Sequence, residues 1–124
     1  MTQPKKKILL VEDDEATLHL FGHYLEGEDC EVFAASDGRE GLKVAQLRKP
    51  DLVILDLMLP EIHGIGVCQA LKGDPTTAHA KVLIATVKGF AADRKQAAEA
   101  GADGFLAKPV SKPDFLAEVR RLLK

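Results

Sequence analysis

Apolar residues in this chain come in two arrangements that take turns along it: short continuous runs, and longer stretches in which they recur every three or four positions. Continuous runs predict strands, and the three-to-four spacing predicts helices with one apolar stripe. "KILLV" (Lys7 to Val11) is the first run, and Leu18, Phe21 and Leu25 predict a helix from Glu15 to about Glu26. "EVFAA" (Glu31 to Ala35) follows as a second strand, and "SDGREGLKVAQLRK" as a second helix that starts near Ser36 or Asp37 and closes before Pro50. "DLVILD" (Asp51 to Asp56) is the third strand, trailed by a helix from about Ile65 to Lys72 that Gly66 weakens near its start. "KVLIAT" (Lys81 to Thr86) is the fourth strand, an alanine-rich helix covers about Ala91 to Ala100, and "GFLAK" (Gly104 to Lys108) is the fifth strand. In the last helix Ser111 and Asp114 are spaced as a capping box, and Phe115, Val119, Leu122 and Leu123 form an apolar face.

Strands that are apolar throughout are buried on both faces, which requires a parallel sheet with helices on either side. Right-handed crossovers leave few topologies, and the expected fold is α/β: a doubly wound, five-stranded parallel sheet in the flavodoxin-like order 2-1-3-4-5 with five helices. The 124 residues make one ordinary domain, 1–124, with no internal repeat or linker.

Composition narrows the function only by exclusion. With 46% apolar and 29% charged residues the chain has the balance of a globular protein, not of a disordered tail. A formal net charge of −2 gives no electrostatic reason to expect nucleic acid or an anionic membrane as a direct partner. No apolar run approaches membrane-spanning length and "MTQPKKKILLVEDD" lacks the apolar region and cleavage site of a signal peptide, so a cytoplasmic location is expected. Cys30 and Cys68 lack a metal-type spacing and are expected to be free thiols.

Chemistry concentrates at one edge of the expected sheet. In a doubly wound fold the carboxyl ends of the strands open into one crevice. Glu12, Asp13 and Asp14 follow strand one, Asp56 closes strand three, Thr86 closes strand four and Lys108 closes strand five. Taken singly, each is a polar residue meeting solvent; taken together they are chemically complementary. Converging carboxylates repel one another unless a cation sits among them. Mg²⁺ suits such a cluster, being a hard ion that takes oxygen ligands from one or two carboxylates, waters and a phosphate. Lys108 adds a positive charge and Thr86 a hydroxyl donor, both suited to phosphoryl oxygens. Asp56 is then a carboxylate nucleophile able to take up a phosphoryl group.

These residues resemble the receiver domains of two-component response regulators, of which the chemotaxis response regulator is the single-domain example. The resemblance covers essentially the whole chain and rests on "ILLVEDDE", "DLVILDLMLPEIHG", "VLIAT" and "GADGFLAKP" in the family's order and spacing. It implies that Asp56 is the phosphoacceptor and that Glu12 and Asp13 position Mg²⁺, with Asp56 and the backbone carbonyl of Met58 completing the protein's ligands. It further implies that Thr86 is the switch hydroxyl, Lys108 the phosphate-binding lysine and Phe105 the switch aromatic, and that Lys108-Pro109 is a cis peptide. The donor would be a phosphohistidine on a kinase or phosphotransfer protein. Phosphorylation would remodel the fourth helix, fifth strand and fifth helix, where family members dimerise or meet a protein target or attached output domain. Asp14 reads as a neighbour of the site or a helix-start residue.

Some positions depart from the family's commonest pattern. His63 stands before Gly64 where aspartate or asparagine is usual, Val87 follows Thr86 where a small residue is common, and Phe105 lacks the hydroxyl of tyrosine. Met58 and Lys88 occupy positions that tune phosphate lifetime in the family. An apolar Met58 is expected to position attacking water poorly and lengthen that lifetime. His19 and His23, one helical turn apart, could pair on a metal, but no third ligand is evident and solvent-exposed histidines are the simpler reading. A phosphatase of the haloacid-dehalogenase type also uses an aspartate and Mg²⁺, but it needs a second aspartate where this chain has Met58. A flavodoxin-like cofactor binder is disfavoured by the acidic loop after strand one, and the complementary pocket argues against a non-phosphorylated interaction module.

Overall fold

The computed structural model describes residues 5–87 and 91–124. Its elements are β1 (Lys6–Val11), α1 (Glu15–Tyr24), β2 (Cys30–Ala35), α2 (Gly38–Arg48), β3 (Leu52–Leu55), α3 (Gly64–Gly73), β4 (Lys81–Thr86), α4 (Ala91–Glu99), β5 (Gly104–Ala107) and α5 (Lys112–Leu122). All strand pairs are parallel and the sheet order is β2-β1-β3-β4-β5. The doubly wound, five-stranded flavodoxin-like sheet is therefore the fold of this chain.

Strand alternation sorts the core into two layers. Leu9, Val11, Val53, Leu55, Val82 and Ile84 pack under α2, α3 and α4, whereas Ile8, Leu10, Leu52, Ile54, Leu83 and Ala85 pack under α1 and α5. The second layer is pinned by Phe115, which is fully buried with its ring centroid 4.7 Å from Phe21 and 5.3 Å from Tyr24. Burial on both faces holds for β3 and nearly all of β1 and β4. It does not hold for β2 and β5, which are the sheet edges. Val32 is 40% exposed and Phe105 half-buried, because an edge strand has a neighbour on one side only.

Helix starts follow local side-chain chemistry. Asp14, Asp37 and Ser111 accept from the backbone N–H of Thr17, Glu40 and Asp114 respectively, each capping the helix that follows. Asp37 is thus the cap of α2, and Glu40 reaches back to the Ser36 N–H at 3.0 Å. Helix α1 ends at Tyr24, two residues before the expected Glu26. Strands β3 and β5 stop one residue short of Asp56 and Lys108, so both side chains lie on the loops beyond the sheet. Among the described side chains of α4, Ala97 is the buried one. Among the described residues no helix is long and apolar enough to cross a membrane.

Candidate functional site

The carboxyl ends of β1, β3 and β5 bring Glu12, Asp56 and Lys108 together although they are far apart in sequence. Asp56 N–H donates to Val11 O at 3.1 Å, which holds the start of the β3–α3 loop against the end of β1. Lys108 N–H donates to Thr86 O at 2.8 Å, which does the same for the loop after β5 at the end of β4. Lys108 Nζ then donates to Asp56 Oδ2 at 3.0 Å and to Glu12 Oε1. All three side chains are nearly buried, so these pairs are shielded from water. Asp13 adds an exposed carboxylate, and ligand atoms of Glu12, Asp13 and Asp56 all lie within 4.8 Å of one another.

The charges in this cluster do not balance. Burial pushes the Glu12 carboxyl up to about 7, assisted by the Asp56 carboxyl beside it and opposed by Lys108. Burial would raise Asp56 as well, but hydrogen bonds with Glu12, the Met58 N–H and Lys108 hold it below the usual carboxylate range. The Met58 N–H donates to Asp56 Oδ1 at 3.0 Å. Burial would lower Lys108, yet its two carboxylate partners raise it, so it stays charged. Glu12 Oε2 is buried without a hydrogen-bond partner among the described residues. A carboxylate oxygen only accepts, so this one calls for a proton or a cation, and an all-oxygen acidic donor set is what Mg²⁺ takes. The residues present fit that ion.

Around the cluster, each remaining candidate has a definite place. Thr86 is fully buried at the end of β4, and its Oγ1 has no hydrogen-bond partner among the described residues. Register pairs Ile84 with Phe105 and Thr86 with Ala107, so Thr86 and Phe105 lie on the same face of the sheet, the one covered by α4. Phe105 is capped by the Arg94 guanidinium of α4, 5.0 Å from the ring centroid. The Lys108-Pro109 peptide is cis. Asp14 turns away from the cluster to cap α1. Met58 and Val87 are exposed beside the site, at 47% and 69%, and Val87 lines an apolar groove with Leu20 and Pro109. Lys88 lies outside the described residues.

Sequence reasoning passed over three residues that shape this region. A Cβ on Gly64 would stand 2.4 Å from Asp56 O and 2.6 Å from Leu57 Cα, so the β3–α3 loop can fold back on itself only with glycine there. Tyr24 Oη donates to Val110 O at 2.9 Å, fastening the segment after Lys108 to α1 across 86 residues of sequence. Arg94 carries no motif. Only the "HG" turn could have drawn attention to Gly64 beforehand.

Comparison with known proteins decides the family. The description "Response regulator receiver domain" matches residues 8–120. This chain belongs to that family. The receiver is 42% identical over 118 residues to the DNA-binding dual master transcriptional regulator RpaA of Synechocystis sp., a match covering 95% of this chain and 49% of that protein. It is 30% identical over 118 residues to the polar-differentiation response regulator DivK of Brucella anthropi, covering 95% and 96% respectively. The chain thus spans about half the length of transcriptional regulators such as RpaA. Among solved structures, chemotaxis response regulator CheY4 of Vibrio cholerae superposes with a TM-score of 0.90 at 28% identity, covering 97% of the receiver and 100% of that chain. Receivers are signalling domains of two-component systems that generally bind Mg²⁺ at an acidic pocket, and this chain has an acidic cluster in Glu12, Asp13 and Asp56.

Proposed function

We propose that residues 1–124 act as a single phosphoacceptor receiver in which Asp56 takes a phosphoryl group from a phosphohistidine on a kinase or phosphotransfer protein. The observation that carries this reading is the convergence of Asp56 with Lys108 and two further carboxylates, Glu12 and Asp13. An Asp56 carboxylate oxygen attacks phosphorus, the O–P bond forms as the N–P bond breaks, and the imidazole leaves with a proton. Asp56, held below the usual carboxylate range, is ionised for that attack. Lys108, held charged between Glu12 and Asp56, faces the phosphoryl oxygens and offsets the charge gathering on them.

Glu12, Asp13, Asp56 and the Met58 carbonyl would hold Mg²⁺, which supplies charge neutralisation at the carboxylates and phosphoryl oxygens when bound. The unpartnered Thr86 hydroxyl is the donor a new phosphate would recruit. Moving Thr86 vacates space on the face it shares with Phe105, and the ring turns inward from under Arg94. The readout surface is then α4, β5 and α5, where a protein target, an attached output domain or a second copy would dock. This is a shift between two populations biased by one local charge event. The domain assists its own phosphorylation and dephosphorylation and turns over no external substrate. Direct contact with nucleic acid or membrane is not proposed for it, in keeping with a net charge of −2, and a cytoplasmic location suits the donor.

Intact mass after incubation with acetyl phosphate tests the proposal, with and without Mg²⁺, on wild type and Asp56→Asn. One base-labile phosphoryl adduct that needs both Mg²⁺ and Asp56 is expected. No adduct under any condition, or an adduct that survives Asp56→Asn, would sink the phosphoacceptor assignment.

A further inference from the structure

Away from the acidic pocket, His19, His23 and Glu26 line one open groove between α1 and the edge strand β2, floored by Leu10, Val32 and Ala34. His19 and His23 stand four residues apart on α1, which puts them on one helix face about 5–6 Å apart at Cβ. The carboxylate is what the sequence left unplaced. Glu26, just past the helix end, lies 3.3 Å from His23 through Oε2 and Nδ1. A carboxylate beside Nδ1 favours the tautomer with the proton there, which leaves the lone pair of Nε2 for a metal. Gly22, between the two histidines, faces the same groove, and a Cβ on it would meet nothing within 4 Å, so no side chain screens the space beside the rings.

We propose that His19 and His23 bind a borderline divalent transition metal, Zn²⁺ or its neighbours Ni²⁺ and Cu²⁺, through their imidazole nitrogens, with Glu26 as the positioning carboxylate. Imidazole ligands select these ions over Mg²⁺, whereas the all-oxygen cluster at Glu12, Asp13 and Asp56 also accommodates hard Mg²⁺, which in excess competes for it. The two sites are therefore told apart in excess Mg²⁺. Two protein ligands leave further positions open to water or to a donor from another molecule. Metal binds the neutral rings, so protons compete with it, and among the described residues Glu26 is the one other ionisable group lining the groove.

The test is calorimetric titration of the full chain with Zn²⁺ in excess Mg²⁺, which occupies the acidic cluster, on wild type, His19→Ala, His23→Ala, Glu26→Gln and Cys30→Ser. Expected are one Zn²⁺ per chain, loss of at least tenfold in affinity in each histidine variant, a weakening of about tenfold or more in Glu26→Gln, and no change in Cys30→Ser. Circular dichroism melts establish that the exposed substitutions leave the chain folded. As a second readout, substoichiometric Cu²⁺ should broaden the ring NMR signals of His19 and His23 before those of His63 and His79. Zn²⁺ affinity that is equal in wild type and both histidine variants, or Cu²⁺ broadening that starts at His63 or His79, would overturn the proposal.

Discussion

Lys108 Nζ lies 3.0 Å from Asp56 Oδ2, and to get there the side chain crosses the end of β4, because the strands these residues follow are not neighbours. One cation from beyond β5 thereby compensates carboxylates that follow β1 and β3. Removing it leaves buried charges unpaired. Lys108→Ala should destabilise the metal-free protein by about 3 kcal/mol in urea unfolding. Added Mg²⁺ should recover part of that loss. A variant as stable as wild type without metal would show that the pair contributes nothing.

Glu12 gives the receiver a pH signature. Its carboxyl is raised from an ordinary 4.5 to about 7, so the fold favours the protonated form. The stability this provides is complete below about 4.5, declines as pH rises through the window, and is gone above about 7. Mg²⁺ needs the ionised form, so its affinity should fall as pH drops below 7, measured by titration between pH 8 and 6. Glu12→Gln should raise the metal-free Tm at pH 8 more than at pH 5. Equal shifts at both would contradict a carboxyl that ionises inside this window.

The acidic run should divide by role. Asp14→Ala removes the cap of α1 and should lower the Tm while leaving Mg²⁺ affinity within twofold of wild type. Asp13→Ala should do the reverse, cutting Mg²⁺ affinity at least tenfold with little loss of stability. Calorimetry and thermal melts on the two variants separate the roles.

Gly64→Ala forces a methyl into the backbone of Asp56 and Leu57. Overpacking of that kind costs about 1–3 kcal/mol. Because the displaced backbone carries the phosphoacceptor, acetyl phosphate labelling should slow as well. Gly73→Ala meets nothing within 4 Å and serves as the control that should leave labelling unchanged.

Met58 is exposed next to Asp56 and brings no polar atom from its side chain that could hold a water as an amide does. Met58→Asn should shorten the lifetime of the aspartyl phosphate severalfold, followed as loss of the adduct mass. An unchanged lifetime would remove Met58 from the set of controlling residues.

How much of this was legible beforehand depended on the range of the interaction. The alternation of apolar runs with striped helices was enough for the topology, since right-handed crossovers admit few arrangements of five parallel strands. Glu12, Asp13, Asp56 and Lys108 could be gathered at one edge because each follows a strand. Their electrostatics could not: the raised Glu12 carboxyl depends on burial and on the Asp56 carboxyl that folding brings beside it, against the pull of Lys108. Uniform burial of the strands was overstated at β2 and β5, because a run such as "EVFAA" does not say whether its strand has one neighbour or two. Tyr24 on Val110 and Arg94 over Phe105 join elements that only tertiary packing brings together, and no local pattern marks them.

The order of these residues along the chain has a consequence during synthesis. Glu12, Asp13 and Asp56 leave the ribosome before Lys108, so a nascent chain carries the acidic side of the site without its internal counter-ion. Until the fifth strand emerges and lays Lys108 across the end of β4, only a proton or a metal from solution can offset that charge. Closure of the pocket therefore waits for the last strand of the sheet to be made.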